Sequence, residues 1–99
     1  MYKSIDNIDI PVQFEWDETK RLSNLEKHGI DFRVVTRLFG NQSLTVPSPY
    51  SNEVRWITIG LVGDKLIAAV FTVRSGRIRL ISARRAKRRE RKEYYARYS

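Results

Sequence analysis

Apolar positions along this 99-residue chain change their spacing once, near residue 42. From about residue 18 to that point they recur at helical intervals; after it they alternate. Asp17 can cap a helix over about 18–28, with Leu22 and Leu25 expected to point inward. Lys27 and His28 fall in its last turn, and Gly29 suits a left-handed closing position. Asp31 then caps a second helix running through Phe39, with Phe32, Val35, Leu38 and Phe39 as its apolar stripe and Gly40 as its stop. Residues 1–12 carry no helical period and approach their end at Pro11, which predicts a loosely held arm ahead of a single domain at 13–99.

Ser43–Val46 predicts a short strand, and Pro47 to Asn52 a loop rich in Pro and Ser. Val54–Val62, Leu66–Val73 and Arg77–Ser82 read as three longer strands rich in Val, Ile and Thr. Gly63-Asp64 and Ser75-Gly76 are short enough for tight hairpins, so the sheet is expected to be antiparallel with three to four strands. Ser82 is then expected to cap a C-terminal helix over about 83–98. The predicted class is α+β: two N-terminal helices, an antiparallel sheet and a basic C-terminal helix.

Composition narrows the chemistry. The chain has no cysteine and one histidine, which removes thiol nucleophiles, Cys-based zinc sites and a His-cluster metal site. No metal and no cofactor are expected. No apolar run approaches the ~18 residues of a membrane span and no signal-peptide core is present, so a soluble, cytoplasmic protein is expected. Nineteen Lys and Arg against eleven Asp and Glu give a net charge of +8. Residues 1–73 hold eight basic and nine acidic side chains, a net of −1, whereas residues 74–99 hold eleven and two, a net of +9. That concentration favours an anionic partner over a merely solvated helix, whose surface would mix both signs.

Ser82-Ala83-Arg84-Arg85 marks the predicted passage from strand to helix. Two arginines in a first helical turn oppose the dipole, and with the exposed N–H groups there they would form a phosphate clamp. Positions 83, 86, 90, 94 and 98 share one face of that helix, which places Glu90 between small and aromatic residues. A carboxylate there needs a cation, and Arg55 or Arg79 could brace it; a catalytic Glu90 is the competing reading. Glu53 and Arg55, two residues apart, share a sheet face, either as a base beside a stabilising cation or as a surface ion pair. His28 suits proton transfer near neutral pH and equally suits ordinary helix capping. Tyr94, Tyr95 and Tyr98 could stack on unpaired bases, although the helix has little else apolar to bury.

Phe14-x-Trp16-Asp17-x-x-Lys20-x-x-x-Asn24-x-x-Lys27-His28-Gly29-x-x-Phe32 resembles the opening signature of BrnT-family toxins. Glu53-x-Arg55 with Gly60 resembles that family's middle motif, and Arg79-x-Ile81-Ser82-Ala83-Arg84-x-Ala86-x-x-x-Glu90-x-x-x-Tyr94 its closing one. Val34 and Val35 stand where members often carry a small residue, and the residues before Gln13 have no counterpart in the family. The resemblance implies a RelE/ParE-like fold and a type II toxin that arrests growth by cutting RNA. It also implies a BrnA-like ribbon-helix-helix antitoxin, expected as a dimer that binds two toxins.

A metal-independent endoribonuclease uses the RNA's own 2′-OH to attack the adjacent phosphate, with a base, an acid and cations around the phosphorus. The catalytic candidates are His28 or Glu53 as base, Arg55 and Arg84 as stabilisers, and Tyr94 as positioning group or acid. Lys27, Arg79, Arg85 and Arg88 are the RNA-binding candidates. A non-catalytic, ribosome-associated RNA binder fits the charge equally well, and a ParE-like toxin acting on a protein target is a third reading.

Overall fold

Asp17 accepts the backbone N–H groups of Thr19 and Lys20 and so starts helix α1 (Glu18–His28), which Gly29 ends at φ 71°. The computed structural model describes residues 2–5, 8–11, 13–49 and 52–98. Positions 1, 6, 7 and 12 of the arm, 50 and 51 of the Pro/Ser loop, and the terminal 99 therefore lie outside it.

The inward face of α1 is not the predicted one. Leu22 is 52% and Leu25 37% exposed, and Asn24 is the buried residue. The reason lies at the sheet edge that α1 lies against, where unpaired peptide groups reward an amide more than a leucine (below). Asp31 caps the short helix α2 (Phe32–Val35) through the Arg33 N–H, and the chain continues as one 3-10 turn, Thr36–Leu38, in place of an α-helix through Phe39.

Four strands follow: β4 (Ser43–Pro47), β5 (Trp56–Val62), β6 (Lys65–Arg74) and β7 (Arg77–Arg85), each antiparallel to the next. A fifth, β3 (Phe14–Glu15), pairs parallel to β7, so the sheet is mixed and five-stranded in the order β3-β7-β6-β5-β4. Two residues are too short to show a period-2 signal, and β3 was not foreseen. Within the predicted arm, β1 (Tyr2–Ile5) and β2 (Ile8–Pro11) form a separate antiparallel ribbon.

Each face of the sheet has its own cover. Phe32, Val35 and Leu38 pack on Ile67, Ala69, Phe71, Leu80 and Ala83 on one side. On the other, α3 (Arg88–Tyr98) sets Tyr94 against Ile57, Ile59, Leu66 and Ala68. Gly60 is where β5 passes under the 3-10 turn: a Cβ there would meet the Leu38 Cδ2 at 3.0 Å and the Gln42 carbonyl at 3.3 Å.

The predicted helix start is corrected. β7 runs on past Ser82, because Arg84 and Arg85 still find ladder partners in Ala68 and Ile67, and the Ala86 N–H reaches the Leu66 carbonyl. The helix begins only at Arg88. Ser82 caps nothing, and Arg84 and Arg85 belong to a strand end. No described helix is long and apolar enough to cross a membrane.

Candidate functional site

Alternation along β6 and β7 decides which side chains face α3. Ile78 and Leu80 pack on the α2 side of the sheet, so strict alternation would send Ser82 and Arg84 there too. It does not, because Val70 stands opposite Ser82 while Phe71 stands opposite Leu80, leaving Ile81 as an extra residue in the ladder. This β-bulge reverses the alternation, and Ser82 and Arg84 turn to the α3 side.

There α3 covers only part of the sheet. The uncovered part is a cleft of about 650 Å³, floored by Ile57, Val70, Ile81 and Ser82. Val46 to Pro49 form one wall; Lys87, Arg89, Glu90 and Glu93 form the other, and Arg55 and Arg84 reach in from the strand side.

Glu90 does two jobs at the start of α3. Its Oε1 accepts the Lys87 N–H at 2.7 Å, capping the helix, while both carboxylate oxygens take the Arg84 guanidinium, at 2.7 and 3.0 Å. Only 14% of its side chain and 22% of Arg84's are exposed. Burial works hardest against the Glu90 charge, yet the Arg84 fork and the Lys87 N–H outweigh it and hold the carboxyl below its ordinary value. The same pair raises the Arg84 pKa, chiefly through the Glu90 hydrogen bonds. The Arg–Glu brace between helix and sheet thus exists, with Arg84 in place of the anticipated Arg55 or Arg79.

Glu53 accepts from Arg55 Nε at 3.0 Å and from Arg74 at 3.4 Å, and the Arg55 bond foremost keeps its carboxyl below the usual range. Arg79 pairs with Glu15 of β3 at 3.2 Å. Arg85 and Arg88 are exposed. Lys27 and His28 sit exposed in the last turn of α1 and do not line the cleft. Tyr94 is 2% exposed; its hydroxyl is 3.5 Å from the Gln42 carbonyl and its ring stacks edge-on with Tyr95. Among the sequence candidates the cleft therefore brings together Arg55 and Arg84, with Glu53 beside them. Reasoning from sequence missed Ser82, Lys87, Arg89 and Glu93 as cleft residues, and only the bulge, which has no sequence signal here, could have placed Ser82.

The arrangement is a cationic trough whose two guanidinium forks are held by carboxylates, suited to an oxyanion such as a phosphodiester. Residues 16–90 match the family model described as "Ribonuclease toxin, BrnT, of type II toxin-antitoxin system". The chain is also similar to the Brucella abortus ribonuclease toxin BrnT, known from a 1.1 Å crystal structure. Identity is 29%, over 79% of this chain and 100% of that one, with a TM-score of 0.66. No curated protein matches the chain.

Proposed function

The chain belongs to the BrnT family of ribonuclease toxins of type II toxin–antitoxin systems, and from that premise we propose that RNA is cut in the cleft between β7 and α3. Such a toxin has RNA as its target and an antitoxin as its partner. The observation that carries the assignment is Arg84, turned into the cleft by the bulge at Ile81 and fixed there by both oxygens of Glu90.

In the proposed step the ribose 2′-oxygen bonds to the adjacent phosphorus as the bond from phosphorus to the 5′-oxygen breaks, leaving a 2′,3′-cyclic phosphate and a 5′-hydroxyl. Arg55 and Arg84 stabilise the charge that builds on the phosphoryl oxygens. Glu53 takes the 2′-OH proton and Lys87, at the cleft wall, returns one to the leaving oxygen. With its carboxyl held low, Glu53 is a weak base, so electrostatic stabilisation carries most of the acceleration. The reaction needs no metal on this reading, because the attacking oxygen is the RNA's own 2′-OH. Arg79, Arg85 and Arg88 bind RNA backbone outside the cleft.

The antitoxin is proposed to be BrnA-like, a ribbon-helix-helix dimer carrying two toxins, and to act in the cytoplasm by covering this basic face. Incubation of purified protein with RNA in EDTA tests the enzymatic reading. Cleavage to cyclic-phosphate ends, lost in Arg84→Ala, supports it. RNA that is bound but intact at high protein excess would identify a non-catalytic binder instead.

A further inference from the structure

The β6–β7 hairpin carries an arrangement that its own stability disfavours. Arg74 and Arg77 stand directly opposite each other across the ladder, flanking the tight turn made by Ser75 at φ 50° and Gly76 at φ 75°. Like charges in that relation repel. Arg74 is partly offset by Glu53, whereas the Arg77 Nε donates to the neutral Gln13 Oε1 and, among the described residues, pairs with no carboxylate.

Alternation sets both on the cleft side of the sheet. Ile78 and Leu80 pack on the α2 side, which leaves Arg77 and Arg79 on the other, next to Gln13 and Glu15 of the β3 edge. The bulge at Ile81 then brings Arg84 onto that same face. β7 therefore presents Arg77, Arg79 and Arg84 in one row, with Arg74 alongside. Without the bulge, Arg84 would face away and strict alternation would bring Arg85 to this face in its place. Arg77 and Arg79, two residues apart, are separated by roughly 6–7 Å along the extended strand, with Arg84 five residues farther on. The Arg77–Arg79 interval is comparable to the step between phosphates of an extended single strand, which basic grooves follow.

We infer that Arg74 and Arg77, together with Arg79, form a second phosphate-binding subsite that holds the RNA strand beyond the scissile nucleotide and leads it along β7 into the cleft. The inference rests on the ribonuclease reading and adds the path of the substrate to it. The row runs toward the hairpin tip, away from α3, so it is distinct from the basic surface of that helix.

Binding of 2′-O-methyl oligonucleotides, which lack the attacking hydroxyl and stay intact, tests it. Fluorescence anisotropy is measured for three- and nine-nucleotide strands from low to high NaCl. The nine-mer is expected to bind about tenfold tighter than the three-mer at low salt, and Arg74→Ala/Arg77→Ala to abolish that advantage. Two lost phosphate contacts at about 0.7 each should also lower the log–log salt slope by about 1.4. Lysine at both positions should restore most of the slope, because a point charge suffices there. A double-alanine variant with the parent's length advantage and slope overturns the inference while RNA cleavage by the parent still stands. Weakened antitoxin binding with RNA binding unchanged overturns it too, and assigns the row to the protein partner. A parent that neither binds nor cuts RNA would instead sink the ribonuclease reading.

Discussion

The side-chain amide of Asn24 pairs with the peptide group of Ala83 as a neighbouring strand would. Its Oδ1 accepts the Ala83 N–H at 3.0 Å and its Nδ2 donates to the Ala83 carbonyl at 2.9 Å, with a further bond to the Ile30 carbonyl at 3.0 Å. β3 pairs with β7 at Ile78 and Arg79, and among the described residues no strand lies beyond the edge at Ala83. One buried amide closes that edge and ties α1 to the strand that carries Arg84. Asn24→Ala should cost about 2–3 kcal/mol, since buried backbone groups lose their partners. For a domain of this size that is a drop of roughly 10–20 °C in Tm, measurable by calorimetry. A variant within 2 °C of the parent would show that water replaces the amide without penalty.

Gly60 and Leu38 are expected to be coupled. Gly60→Ala pushes a methyl against the Leu38 Cδ2 and the Gln42 carbonyl, and overpacking of this kind costs about 1–3 kcal/mol. Leu38→Ala destabilises by opening a cavity, but in that background the added methyl has room. A double-mutant cycle by urea unfolding should therefore give a total less than additive by at least ~0.5 kcal/mol. Strict additivity would mean that the backbone at Gln42, and not Leu38, limits the space.

Stability toward acid should depend on Asp31. Hydrogen bonds from the Arg33 side chain foremost, then from its backbone N–H, with the charge of Arg21 in support, lower its pKa from 3.8 to about 2. A depressed carboxylate contributes stability above its unfolded pKa and loses it as the pH falls through the folded value. Asp31→Asn can still cap α2 but carries no charge. Urea midpoints should thus fall less steeply in the variant than in the parent between about pH 4 and pH 2. Parallel curves would refute the assignment. Glu53 and Glu90, also depressed, leave a residual slope in both proteins.

What could be read in the sequence follows from how local each signal is. Asp17, Gly29 and Asp31 act within a few residues, and the caps they predict are present. The long strands and their two-residue turns were legible through alternation and glycine. Three features were not. Two residues of β3 are too few to show a period. The inward face of α1 depends on an edge formed 59 residues away, which hydrophobicity cannot report. β7 outlasts Ser82 because β6 still offers partners, a matter of register between strands. The same limit applies to the cleft: Arg55, Arg84 and Glu90 could each be singled out by type and spacing, but their assembly depends on one extra residue, Ile81, in a ladder.

The bond between Arg84 and Glu90 offers a way to separate bracing from catalysis. Exchanging the two, as Arg84→Glu/Glu90→Arg, keeps an opposite-charge pair between the end of β7 and the start of α3. It moves the guanidinium from the cleft side of the sheet onto the helix and gives up the cap on the Lys87 N–H. Losing that cap costs about 1 kcal/mol, so the fold should persist with a modestly lower Tm. If Arg84 contributes only the brace, RNA cleavage should survive the exchange at nearly the parent rate. If its fork stabilises the phosphorane from the strand side, kcat should fall by about 10²–10³, as losing one such donor does elsewhere, with KM for long RNA changing far less. Glu90→Gln gives the intermediate case, because it keeps an acceptor for the Lys87 N–H while loosening the fork. Its kcat should fall between the two, and a Gln variant as fast as the parent would remove Glu90 from any positioning role.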